Sequence, residues 1–171
     1  ELFVRVFGAG ESLGSFMVSL FWIGLLAGRA GIPLVLPKAK PDRTLAALAL
    51  GMALATGLIA ACAFVGPAAM PLAIAAAALA GLACSGFYPI VMTLLSRAYP
   101  SSQAEAIGFA GTGGGFGSFV FMLLMSRIAQ AFGVSGGFLF YAALAILNAA
   151  TAFALIGAVR SRIAACSGNA A

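Results

Sequence analysis

The sequence predicts an all-α, polytopic transmembrane helix bundle, and three observations predict it. Of 171 residues, 63% are apolar and only 8% are charged, against about 45–50% and about 25% in an ordinary soluble domain. A soluble fold of this size cannot keep that many apolar side chains from water, because a domain of ~150 residues still exposes roughly 30% of its unfolded-chain surface. The apolar residues fall into long runs, and about 20 of them in helical form cross a hydrocarbon core of ~30 Å. The few basic residues flank the runs, as they do around membrane spans.

The elements follow in order. Residues 1–7 (ELFVRVF) read as the end of a truncated span. The first complete span is 12–30, after which Pro33, Pro37 and Pro41 break the helix. Asp42 or Thr44 can cap the second span, 44–65, which Gly66-Pro67 ends. Pro71 suits the first turn of the third, 71–95, and Tyr99-Pro100 closes it. Ser102 and Glu105 have capping-box spacing at the start of the fourth, 104–125. The fifth is 136–159, and 163–171 form a tail.

Charge orients the bundle. Alternating crossings put Arg29, Lys38, Lys40, Arg43, Arg97, Arg160 and Arg162 on one side and leave Arg5 and Arg127 on the other. The loops are short, so the positive-inside rule makes the basic side, and with it the C-terminus, cytoplasmic. The net charge of +5 is thus a topology signal, and nucleic acid is not an expected partner.

Several chemistries are excluded. Without histidine there is no imidazole base or ligand, and neither a metal nor a cofactor is expected. Cys62, Cys84 and Cys166 lie far apart with no CxxC spacing. A membrane enzyme is a weak reading, since acid–base work also needs a buried carboxylate. No Asp, Glu or Lys lies at mid-depth in a complete span, so the chain itself carries no ion-coupling device of the usual kind.

Three spans carry the informative residues. The first ends in Phe21-Trp22-x-Gly24-x-x-x-Gly28-Arg29; Gly24 and Gly28 stand one turn apart and admit a close helix crossing. Arg29, Asp42 and Arg43 form either a conformational gate of charge pairs that break and reform, or a topogenic arginine beside a packing face. The third span has Gly81-x-x-x-Ser85 and then Gly86-Phe87-Tyr88-Pro89. Pro89 removes a donor and crowds the carbonyl four residues back, so a kink is expected near Ser85. The fourth packs Gly108, Gly111, Gly113, Gly114, Gly115 and Gly117 around Thr112; Gly111 and Gly115 are candidates for bending or close packing. A phosphate loop is excluded there, because no GK[ST] follows and no strand precedes. Ser15, Ser19, Trp22, Tyr88, Thr112 and Phe116 are the candidates for lining a substrate cavity. Spans two and five read as scaffolding, with Asn148 bonding a neighbouring helix.

The stretches FWxGxxxGR at 21–29, GxxxSGFYP at 81–89 with Arg97 and Pro100, and the glycine-rich helix after Ser102 resemble the C-terminal half of a major facilitator superfamily transporter. The sugar-permease-like branches, of the fucose-permease type, are the most similar. One departure stands out: Gly28 occupies the place of the acidic residue that usually precedes the arginine of the loop signature. The resemblance implies that 1–7 end helix seven and that the spans are helices eight to twelve. It implies a half-bundle of two inverted three-helix repeats, with a missing N-terminal half as partner. Helices seven and ten would line the cavity, eight and eleven the interface between halves, nine and twelve the support. The implied function is secondary active transport of a small organic solute by alternating access, in a bacterial inner membrane. The alternative is a non-transporting polytopic scaffold or assembly protein.

Overall fold

A computed structural model describes residues 2–35 and 40–168. Its helices are α1 (Leu2–Arg5), α2 (Glu11–Val35), α3 (Pro41–Val65), α4 (Met70–Ser85), α5 (Phe87–Ala98) and α6 (Gln103–Gly168), with a 3₁₀ turn at Pro67–Ala69. Among the described residues there is no strand. Four stretches are long and apolar enough to cross a membrane: Glu11–Ile32, Pro41–Val65, Pro67–Ala98 and Gln103–Ile163. The last has 61 residues, about 90 Å of helix, which is far more than one ~30 Å crossing requires. It is broken at Gly133, whose φ of 77° and ψ of 173° are not helical. The backbone there needs a residue without Cβ. Two arms result, one on either side of the break.

The boundaries depart from the sequence expectation where local chemistry was misjudged. Helix α2 continues through Pro33 to Val35 instead of stopping at the proline. Pro37 and Lys38 lie outside the described residues. Pro41 opens α3 at its first turn, but Lys40 is the N-cap and no side chain caps it. Asp42 does not cap, because its carboxylate accepts from Arg160. Thr44 does not cap either; its hydroxyl donates back to the Lys40 carbonyl at 3.2 Å. The fourth span does not end at 125, since helical geometry runs on toward Gly133. Near Ser85 the third span is interrupted as expected: α4 stops there and α5 starts at Phe87, with Gly86 (ψ −6°) between them.

Packing is built on small residues. In lipid, helices gain little from burying apolar surface against one another, so close backbone approach and van der Waals contact must hold them. Helix α4 sits between α2 and α3, and α3 also packs on α6. Alanines dominate the buried faces of α3 and α4 (Ala49, Ala55, Ala60, Ala63; Ala73, Ala76, Ala77, Ala80). Two core clusters lie toward opposite ends of the bundle. One gathers Leu2, Phe3, Phe7, Met17, Ile59 and Ala73; the other gathers Leu45, Ala49, Ile90, Leu94, Ala152 and Ile156. Large apolar side chains such as Leu54, Phe109 and Phe132 point outward, as expected of surfaces that face lipid. The first arm of α6 is different from every other span: no residue from 103 to 136 is buried.

Candidate functional site

The two small-residue motifs meet each other. Gly24 packs on α4 so closely that a Cβ there would lie 2.6 Å from the Ala78 carbonyl oxygen. A Cβ on Gly28 would overlap the Ser85 hydroxyl, and one on Gly81 would overlap the Phe21 carbonyl. The α2–α4 crossing is therefore a backbone-on-backbone contact in which Gly24 and Gly28 interlock with Gly81 and Ser85. Ser85 is buried at 1% exposure and satisfies its hydroxyl on the Leu82 carbonyl at 2.6 Å. Pro89, one turn further on, is exposed on α5.

The glycines of α6 behave in the opposite way. A Cβ on Gly113, Gly114 or Gly115 would meet nothing within 4 Å, and one on Gly111 would meet only the Tyr88 hydroxyl at 3.7 Å. Close packing at Gly115 is thus not made within this chain. Gly111 marks where α5 and the first arm of α6 touch.

A cavity of about 1120 Å³ lies between the helices, with walls from α2, α3, α4 and both arms of α6 and with Leu2 and Phe3 of α1 in its lining. Its surface is mostly apolar, with Thr56, Ser118, Tyr141, Asn148 and Thr151 as the polar exceptions. Sequence reasoning did not assign these to a cavity. Thr56 lies in a span that the sequence marks as scaffolding, and for Asn148 the sequence favours a bond to a neighbouring helix over one to a ligand. The Thr151 hydroxyl donates to the main-chain carbonyl of Asn148 at 2.9 Å.

None of the six sequence-derived cavity candidates lines this space. Ser15, Ser19 and Trp22 share an exposed face of α2, while Gly14, Met17 and Phe21 turn toward the cavity. Thr112 and Phe116 are exposed on α6, and Gly113, Gly114 and Gly117 are the residues that line the cavity. Tyr88 is also exposed. The hydroxyls of Ser15, Ser19 and Thr112 donate to carbonyls four residues back in their own helices, which lets them sit on an apolar surface without an unpaired donor.

The charged residues collect at one end. Asp42 at the start of α3 accepts from Nε of Arg160 near the end of α6 at 2.7 Å. Among the described residues Asp42 has no ion pair with Arg29 or Arg43, both of which are exposed. The gate grouping of Arg29, Asp42 and Arg43 is therefore open, and Asp42 has a partner that sequence spacing could not reveal across 118 positions. Arg162 stacks over the Tyr99 ring, 4.2 Å from its centroid. These contacts bring the start of α3, the end of α5 and the turns of α6 around Arg160 and Arg162 to the same end of the bundle. Among the described residues no cluster of three or more His, Cys, Asp or Glu could hold a metal ion.

A sequence model described as the Major Facilitator Superfamily matches residues 2–169. The chain belongs to the major facilitator superfamily. It is an integral membrane protein with the all-α helix bundle of a major facilitator transporter. The chain matches none of the curated proteins and none of the solved structures compared with it, and the sugar-permease branch has no support beyond the quoted motifs.

Proposed function

We propose that the protein is the C-terminal half of a secondary active transporter that moves a small organic solute, such as a sugar or another metabolite, by alternating access. The observation that carries this reading is a family match over residues 2–169 in a bundle whose first α6 arm has no buried residue. Such a helix needs partners the chain does not supply.

Repeat symmetry supports a seat for one of them. Helix α4 fills the space between α2 and α3, and the matching position in an inverted repeat is between the two arms of α6. The large cavity opens there, lined by both arms and by α1. A span that ends in residues 1–7 fits this seat, and its apolar walls suit a helix better than a polar solute. The missing N-terminal half then faces the exposed sides of α2 and of the first α6 arm. On this reading Ser15, Ser19, Trp22, Tyr88, Thr112 and Phe116 line the route between the halves. The Gly24–Gly28 crossing with Gly81 and Ser85, the break before Pro89, and the bare glycines Gly111 and Gly115 are where the helices accommodate rocking. Arg29, Asp42 and Arg43 lie at the cytoplasmic end, in a bacterial inner membrane.

The test is solute uptake by proteoliposomes holding the full-length protein. The panel covers sugars, organic acids and drugs, each with and without a proton gradient. Saturable uptake of at least one of them is expected; none across the whole panel would contradict the reading. Arg29→Ala is expected to lower turnover more than affinity. Unchanged turnover with weakened binding would exclude its role as a gate.

A further inference from the structure

At the basic end, α5 and the last turns of α6 enclose a groove of about 380 Å³ that the transport reading does not use. Its floor is apolar, from Leu95, Leu155 and Val159, and its rim carries Tyr99, Ser161 and Arg162. The rim is ordered by contacts of its own. The Arg162 guanidinium lies over the Tyr99 ring and donates to the Tyr99 hydroxyl at 3.5 Å. Ser161 donates to the Ala158 carbonyl at 2.9 Å, so its hydroxyl proton is already engaged. Arg160 is already engaged by Asp42, and that pair takes up the nearby carboxylate. Arg162 is thus a cation held on a scaffold in the last turns of α6, beside the apolar side chains of Leu95, Leu155 and Val159.

We propose that this groove binds one anionic phospholipid, with the phosphate on Arg162 and an acyl chain along Leu95, Leu155 and Val159. Three features on the same few residues select that occupant. Charge complementarity favours a phosphate, because basic pockets between spanning helices suit anionic head groups. The apolar floor favours a molecule that carries a chain, which a free anion lacks. The tyrosine at the rim closes the end of α5, and amphipathic rings at span ends prefer the zone between the head groups and the core. A bound lipid would tie the end of α5 to the end of α6, and so hold together the face where Asp42 and Arg160 also meet.

The experiment follows thermal unfolding of the detergent-solubilised full-length protein with added phosphatidylglycerol, phosphatidylcholine or inorganic phosphate. Saturating phosphatidylglycerol is expected to raise the midpoint by about 5 °C over the choline lipid. Arg162→Gln should abolish that difference. Arg127→Ala, which removes the same charge near the opposite end, should leave it intact. Should Arg162→Gln fail to fold, Ser161→Glu serves instead: it keeps the arginine and repels a phosphate at the same rim. No preference for the anionic lipid, an equal effect of inorganic phosphate, or a preference that survives both rim substitutions would overturn the proposal.

Discussion

Gly81 has no room for a methyl group, because the Phe21 carbonyl occupies the place where Cβ would go. Gly81→Ala must push two helix backbones apart, and overpacking of this kind costs about 1–3 kcal/mol. Gly57→Ala, in the interior of α3, has nothing within 4 Å to disturb. It removes a flexible residue from a helix interior, worth up to ~1 kcal/mol in favour of the fold. Unfolding midpoints of the two variants are therefore expected to move in opposite directions. Equal shifts would show that the α2–α4 crossing is not as close as described. Asp42 and Arg160 form a pair of another kind. Arg160 is 62% exposed, so the coupling expected from a double-mutant cycle of Asp42→Asn and Arg160→Gln is small, about 0.2–1 kcal/mol, and weaker at high salt. At this scale the sequence was only half legible. Each small-residue motif could be read along its own helix, whereas the fact that Gly28 rests on Ser85 depends on how two helices meet. Asp42 illustrates the same limit, since local spacing favoured a cap and a distant arginine competed for the carboxylate.

Between residues and the bundle stands the break in α6. Gly133 combines φ 77° with ψ 173°, a region that residues with a Cβ occupy only at a cost on the order of 1–3 kcal/mol. Gly133→Ala is expected to destabilise the chain by that amount. Gly157→Ala, at an ordinary helical position with open space around it, is expected to be neutral or mildly stabilising. Thermal unfolding of both variants separates them, and a harmless Gly133→Ala would mean that the two arms do not turn at this residue. That the chain is built of long apolar helices was readable because length and hydropathy alone decide it. Their ends were less so. A proline in a first turn, as at Pro41, is easy to recognise, but the continuation of α2 through Pro33 depends on what neighbouring groups do for the freed carbonyl, which no local pattern records. The first arm of α6 taught something different. Its glycines suggested close packing, and within this chain their face is bare.

For the whole molecule the central claim is an alternating bundle with its basic ends together. The ion pair between α3 and α6 and the Arg162–Tyr99 stack bring three helix ends to one side, in agreement with the asymmetry of lysine and arginine along the sequence. The cavity was not foreseeable from composition, because it is created by the path of α6 around Gly133 and by the small residues that line it. Topology labelling tests the claim most directly. With Cys62, Cys84 and Cys166 replaced, single cysteines at Lys40, Ser101 and Ser161 should react with an impermeant maleimide from one side of a sealed membrane, and those at Ala68 and Ala131 from the other. Lys40→Cys and Ser161→Cys reacting from opposite sides would contradict the account.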